Sequence, residues 1–173
     1  MLKLSKYKAC ICEGSAEKAI INILLDNDLL IFKREELIEQ EVLSCRGAKE
    51  FEERYLRKSF DGKISVIRIL DSRKERFKFS KAYENKIDVV NIISAPEIEI
   101  LVILNEGKYI DYKKTKLKPS DFCKQKLKMH KVKNYNFVFD YFSDTDCLLN
   151  VLKEYKNLKN HPKDELTLFD LLI

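Results

Sequence analysis

Three short apolar segments, each long enough for one strand, constrain the fold of this chain more than any other feature. They read YKACIC over Tyr7–Cys12, KISVIRIL over residues 63–70 and IDVVNIIS over residues 87–94. Apolar runs of roughly four to eight residues, rich in β-branched side chains and bounded by turn residues, are typical of buried strands. Because helical patterns separate some of these segments, the sequence predicts a parallel sheet with helices on its faces.

Helical periodicity occupies much of the remaining chain. After the turn at Gly14, residues 16–26 place Ala19, Ile20, Ile23 and Leu24 on one face, which predicts a helix that Ser15 caps. Further helical segments are predicted at residues 34–60, 80–86, 97–106, 120–129 and from 144 or 145 onward, with a short strand at residues 29–32. The predicted fold is therefore α/β, with a core over residues 1–112 and a basic, mainly helical extension over residues 113–173 packed on it.

Length and composition limit the class of protein. A chain of 173 residues fits one domain of ordinary size. No apolar run reaches the roughly 18–20 residues of a membrane-spanning helix, and Glu13 and Glu17 interrupt what could have been a signal peptide. We therefore expect a cytoplasmic protein without membrane contact. The five cysteines include no CxxC pair, and Cys10 and Cys12 share one face of a strand, which favours reduced, packed thiols.

Acidic residues follow each of the three main predicted strands. Glu13 follows the first, Asp71 the second, and Glu97 and Glu99 come shortly after the third. Ligands of parallel sheets bind at the carboxyl ends of the strands, and one or two carboxylates together with substrate phosphates suffice to hold Mg²⁺ or Mn²⁺. Gly14 and the following helix N-terminus would let a phosphate approach closely. A metal and phosphate site is predicted here, whereas helix capping or simple solvation is the alternative for each carboxylate.

At this point the residues resemble a known family. The run ICEGSAE over residues 11–17, followed by a strand that ends in Asp71-Ser72-Arg73, resembles the TOPRIM domain shared by topoisomerases, bacterial primases and OLD-type nucleases. The run SAPEIEILVIL over residues 94–104 is similar to the RloB-like proteins, small TOPRIM relatives associated with restriction and phage-defence loci. The resemblance covers about residues 5–130. It implies a Rossmann-like TOPRIM sheet and a Mg²⁺-dependent nuclease or phosphotransferase that acts on nucleic acid, with phage defence as its setting.

The resemblance also implies roles for individual residues. Glu13 would match the family glutamate, a general acid or base at the metal site, and Asp71 the first metal-binding aspartate of an aspartate-x-aspartate motif. Arg73 stands in place of the second aspartate, and a guanidinium cannot ligate a cation. The site has therefore lost one metal position, recruited Glu97 or Glu99, or become a phosphate-binding site without catalysis.

Three of these residues have alternative roles. Glu17 lies on the first helical turn and is assigned a supporting catalytic role in preference to that of a metal ligand. Arg73 either contacts a phosphate at the catalytic site or pairs with Asp71. Glu99 is either a metal ligand or an acidic residue favoured by the helix dipole.

Positive charge is concentrated between Lys108 and Lys133. This basic segment has ten lysines and two aspartates, so it carries +8, whereas the whole chain carries +5 and the remainder −3. Tyr109, Tyr112 and Phe122 lie among the lysines, a mixture that suits phosphate neutralisation and base stacking. Solvation of a helical face is the alternative. DNA or RNA contacts are predicted for Lys113, Lys114, Lys116, Lys124, Lys126, Lys128 and Lys131.

Three functional hypotheses follow. The first is the metal-dependent enzyme acting on DNA or RNA. The second is a non-catalytic TOPRIM-like module that binds a nucleic acid, a nucleotide or a partner protein, and the Arg73 substitution is its best support. The third is a purely structural interaction protein. None of them specifies an oligomeric state.

Overall fold

The computed structural model describes residues 2–58, 60–74, 76–94, 98–158, 162 and 164–173. Its sheet consists of the parallel strands β1 (Tyr7–Cys12), β2 (Ile64–Leu70) and β3 (Ile87–Ile93), which lie in the order β1-β2-β3. Every residue of β2, the central strand, is buried. The predicted parallel α/β sheet is confirmed and is compatible with a Rossmann-like fold.

Within the described residues, seven α-helices accompany the sheet. They are α1 (Ser15–Asp26), α2 (Ala48–Tyr55), α3 (Glu99–Asn105), α4 (Tyr109–Lys113), α5 (Pro119–Gln125), α6 (Tyr135–Tyr141) and α7 (Thr145–Lys156). Asn134 and Asp144 cap α6 and α7, since each side chain accepts hydrogen bonds from backbone N–H groups in the first turn. No helix of the described ranges has the length and apolarity that crossing a bilayer requires.

The sheet separates two hydrophobic cores. Alternate residues of a strand face opposite sides, so Cys10 and Ile67 belong to the larger core, with α1, α3 and the C-terminal helices. Ile11 and Val66 face the smaller core, where Phe51 of α2 is fully buried. Cys10 and Cys12 are both buried on the same face, as predicted.

The C-terminal helices complete the larger core. α6 packs on α1, whereas α5 and α7 pack on α3. The chain end also returns to β3, where the Ile93 N–H donates to the Leu166 carbonyl at 2.8 Å. Beyond this contact, Leu172 bridges to Leu30, outside the sheet. Residues 113–173 are therefore packed against residues 1–112 through a shared apolar interior.

Two predicted elements differ from the structure. The short strand at residues 29–32 is wrong: Leu30 forms a single bridge, because its partner is the chain end and not another strand. The helical prediction for residues 34–60 holds for α2. Its first part instead contains two 3₁₀ turns, Arg34–Glu36 and Ile38–Gln40, and then extended chain. Leu37 and Leu43 pair with β1 there, and these tertiary bridges override the local helical pattern.

Candidate functional site

The carboxyl ends of β1 and β2 bring the two predicted acidic loops together. Cys12 is in register with Ile69, so Glu13 and Asp71 leave neighbouring strands at the same edge of the sheet. Gly14 is the N-cap of α1, and its carbonyl accepts a hydrogen bond from the Lys18 N–H at 3.2 Å. Strand, turn and helix N-terminus thus meet at one edge.

Two adjoining cavities lie at this edge. The first, termed the acidic pocket, has a volume of about 250 Å³ and is lined by Gly14, Ser15, Ala16, Glu17, Asp71, Ile98, Glu99 and Lys133. The second, of about 330 Å³, is lined by Glu13, Gly14, Arg46 and Asp71. The structure therefore places Glu17, Asp71 and Glu99 on one cavity, with Glu13 on its neighbour.

Glu17 lies directly against Gly14. Its side chain is buried, and a β-carbon added at Gly14 would collide with Glu17 Oε2. The backbone of Gly14 is extended, with φ −100°, a conformation that any residue adopts, so a side chain here would act by displacing the Glu17 carboxylate. A glycine here lets the Glu17 carboxylate fold back over the helix start.

Glu99 is paired with the end of the basic segment. Its side chain is 1% exposed, and its Oε1 lies 3.3 Å from Nζ of Lys133. Ser15 Oγ donates to the Lys133 carbonyl at 2.9 Å, which joins this residue to the start of α1. Lys133 was not among the seven lysines predicted to bind nucleic acid. It is the last lysine of the run, but nothing in the sequence places it beside Glu99.

Glu13 is paired with a buried arginine of β2. Arg68 is almost fully buried, and its Nη2 lies 3.3 Å from Glu13 Oε1. Its guanidinium also lies over the Phe77 ring at 4.2 Å and contacts Asn91 Oδ1 at 3.5 Å. In the sequence, Arg68 lies within the second predicted strand and has no predicted functional role. A charged residue within a run of buried β-branched residues is the signal that could have revealed this pair.

Asp71 contrasts with the other carboxylates. It is exposed, lines both cavities, and makes no hydrogen bond or ion pair with any other residue that the structure describes. Its oxygens are therefore accessible to a ligand from solvent.

Arg73 has a different partner from the one considered in the sequence. Its Nε and Nη2 donate to the two carboxylate oxygens of Glu165 at 2.6 and 2.8 Å, and this hydrogen bonding raises the pKa of the guanidinium. The pairing with Asp71 is wrong, because the chain end returns beside β3 and brings the 8% exposed Glu165 side chain to Arg73. Arg73 does not line the acidic pocket.

The seven predicted nucleic-acid lysines are all exposed, from α4 through α5 and the following loop: Lys113, Lys114, Lys116, Lys124, Lys126, Lys128 and Lys131. Their exposure is compatible with both alternatives, phosphate contact and solvation. Phe122, in contrast, is 3% exposed and packs edge to face on Tyr112, so it belongs to the core and not to a stacking surface.

The carboxylates do not form a ready-made metal cage. In the described part of the chain, no three histidine, cysteine, aspartate or glutamate residues are grouped so that they could hold one ion. Glu97, the other predicted ligand, lies outside the described residues. The oxygen donors of the acidic pocket suit Mg²⁺ or Mn²⁺, which keep several waters and need few protein ligands.

Comparison with known proteins returns no match: no family model, no curated protein and no solved structure is significantly similar to the chain.

Proposed function

We propose that this chain is a TOPRIM-like nuclease or phosphotransferase that uses Mg²⁺ or Mn²⁺ and acts on DNA or RNA at the acidic pocket. Asp71 carries the proposal: it is an exposed carboxylate without a partner among the described residues, at the carboxyl end of the central strand. Ligands of parallel α/β sheets bind at this edge.

The residues around Asp71 have the chemical groups that phosphoryl transfer requires. Asp71 would hold the cation, with Glu17 or Glu99 as a second carboxylate, and the cation would offset charge on the phosphate oxygens. The N–H groups at the start of α1 and the Lys133 ammonium would bind the phosphate itself. Glu13, whose Oε1 lies 3.3 Å from Arg68 Nη2, would act as the general acid or base, as the resemblance to TOPRIM domains implies. The exposed lysines would hold the nucleic-acid backbone.

A second candidate function is a non-catalytic module that binds nucleic acid, a nucleotide or a partner protein. The ion pairs favour it: Arg68 offsets the charge of Glu13, and Lys133 that of Glu99. Carboxylates neutralised within the chain attract a divalent cation less strongly. Cation binding therefore discriminates between the two functions.

The test starts with Mn²⁺ binding measured by calorimetry. We expect binding that Asp71→Asn abolishes and that Asp140→Asn leaves unchanged, since Asp140 is an exposed aspartate on α6, away from the pocket lining. If binding is absent or independent of Asp71, the metal-dependent enzyme is excluded. If Mn²⁺ binds but labelled single- and double-stranded DNA and RNA stay intact, the binding module is the better function.

A second measurement concerns the basic segment. Charge reversal of Lys124, Lys126 and Lys128 should weaken nucleic-acid binding and flatten its salt dependence by about 2 to 3 logarithmic units per decade of salt for duplex DNA. Reversal of the exposed Lys3, Lys49 and Lys78 is the matched control for net charge. Equal losses in both triple variants would mean that net charge, and not this surface, drives binding.

A further inference from the structure

A cavity of about 290 Å³ lies at the opposite end of the sheet, and we term it the amino-end pocket. Its lining includes Ile64 and Ile87, the first residues of β2 and β3. Asp71 follows the last residue of β2, and strand residues rise about 3.3 Å each. The two pockets are therefore separated by roughly 20 Å, so a ligand here does not touch the acidic pocket.

The lining charges of the amino-end pocket are all positive. Arg57, Lys58 and Lys86 line it, and no acidic residue among those that the structure describes does. Lys58 pairs with Glu39 at 2.8 Å. The side chains of Arg57 and Lys86 are exposed and make no hydrogen bond or ion pair with any other described residue. Two cations are thus available to an anion from solvent.

The rest of the lining is apolar and aromatic. Buried Leu56 lies beside Ile64 and Ile87 in the lining, and Phe60 and Tyr83 are half-buried there. The Phe60 ring packs edge to face on Tyr7, with centroids 5.3 Å apart, and the Tyr83 hydroxyl donates to the Leu56 carbonyl at 3.4 Å. Both rings are held in place before any ligand arrives, which reduces the entropy lost on binding.

We propose that the amino-end pocket binds a nucleotide, with its phosphate at Arg57 and Lys86 and its base against Phe60 and Tyr83. The pairing of free cations with fixed aromatic rings matches a ligand that is anionic at one end and aromatic at the other. The volume lies near the lower end of small-molecule sites, which span roughly 300–1,000 Å³, so it suits one nucleotide and not a dinucleotide. The nucleotide is either free or part of a single strand. This site is independent of the proposed function.

Calorimetry with adenosine monophosphate and with a short single-stranded DNA tests the site. We expect at least one of the two probes to bind, and Arg57→Gln and Lys86→Gln each to weaken that binding about tenfold. Lys81→Gln is the matched control, because Lys81 is exposed on the same turn but does not line the pocket. Binding of the monophosphate identifies a free nucleotide, and binding of the DNA alone identifies a strand. If neither probe binds, or if the glutamine variants bind as tightly as the wild type, the proposal is overturned.

Two further variants separate the parts of the proposal. Phe60→Leu should weaken binding of the monophosphate or the DNA, because it removes a ring and no charge. Arg57→Gln should still weaken binding further when it is added to Phe60→Leu. An unchanged affinity would overturn the assignment of the base to Phe60. Asp71→Asn should leave binding at the amino-end pocket unaltered, so loss of Mn²⁺ binding and loss of nucleotide binding report on different sites. Thermal unfolding of each variant verifies that the chain is folded.

Discussion

The two ends of the sheet differ in how their charged side chains are paired. At the carboxyl end, three carboxylates with little exposure each lie within ion-pair distance of a cation: Glu13 with Arg68, Glu99 with Lys133 and Glu165 with Arg73. At the amino end, Arg57 and Lys86 line a pocket without an ion pair to any described residue. Removal of a carboxylate from water is costly unless a counter-ion accompanies it, whereas an exposed lysine or arginine is stable in water alone.

This difference shows which charges are available to ligands. The three carboxylates of low exposure already lie beside cations of the chain. Asp71 at one end, and Arg57 with Lys86 at the other, are exposed and unmatched among the described residues. We expect ligands to bind first at these three side chains. Breaking the internal pairs, one at a time, tests this division.

The largest effect is expected from the buried pair. Arg68→Met leaves the Glu13 carboxylate, whose side chain is 16% exposed, without its counter-ion, and such losses cost about 3 kcal/mol in the free energy of unfolding. Urea unfolding measures this change. The exposed Arg57→Met is the control and should stay within about 0.5 kcal/mol of wild type. The double variant Arg68→Met with Glu13→Gln should recover part of the lost free energy of unfolding. If Arg68→Met alone costs less than about 1 kcal/mol, Glu13 does not depend on Arg68 as its counter-ion.

Replacement of Lys133 is a sharper test, because we expect it to change metal binding more than stability. The ammonium lies 3.3 Å from Glu99 Oε1 and competes with any cation that enters the acidic pocket. Lys133→Met should therefore tighten Mn²⁺ binding about tenfold, or about 1.4 kcal/mol. Lys131→Met, an exposed lysine two residues earlier, should have no comparable effect. Weaker Mn²⁺ binding in Lys133→Met would show that Lys133 supports the site instead of competing with the metal.

Arg73 should show a smaller effect. Its bidentate pair with Glu165 has good geometry, but the arginine side chain is 45% exposed, so solvent screens part of the attraction. Arg73→Ala should lower the free energy of unfolding by about 1 kcal/mol, measured by urea unfolding. Arg76→Ala, another exposed arginine nearby, is the control. Equal stabilities for the two variants would mean that the contact with the chain end does not stabilise the fold.

The smallest effect concerns pH at the amino end of β1. Lys8 is buried there and donates to Glu36 Oε1 at 2.8 Å, and this bond, with the Lys33 N–H, lowers the pKa of Glu36 below its ordinary value of 4.5. A carboxyl with a lowered folded-state pKa stabilises the protein above its ordinary pKa. That stability is lost as the pH falls through the folded-state value.

The contribution of Glu36 is a few tenths of a kcal/mol, because its side chain is 40% exposed. Lys8→Met should therefore flatten the decline in unfolding free energy between about pH 5 and pH 3, measured by urea unfolding at each pH. Lys6→Met, at an exposed position, should keep the wild-type slope. A slope unchanged by Lys8→Met would show that other carboxyl groups govern the acid response.

The regular elements could be predicted closely where local pattern and tertiary environment agree. β1 matches its predicted bounds, and β2 and β3 differ from theirs by one residue at an end. Their runs of β-branched residues are buried in the sheet, and β-branched residues favour strands in such surroundings. Residues 29–32 and 34–47 did not follow their local patterns, since Leu30, Leu37 and Leu43 form bridges with distant parts of the chain.

The sequence by itself determined the acidic strand ends, the glycine turn and the run of exposed lysines, because each depends on neighbours in the chain and on the geometry of parallel strands. The tertiary structure alone decided which charges meet. Arg68 and Glu13 are 55 positions apart, and Arg73 and Glu165 are 92 apart. Ion pairs over such separations depend on how helices and the chain end pack on the sheet, and no local periodicity encodes that packing.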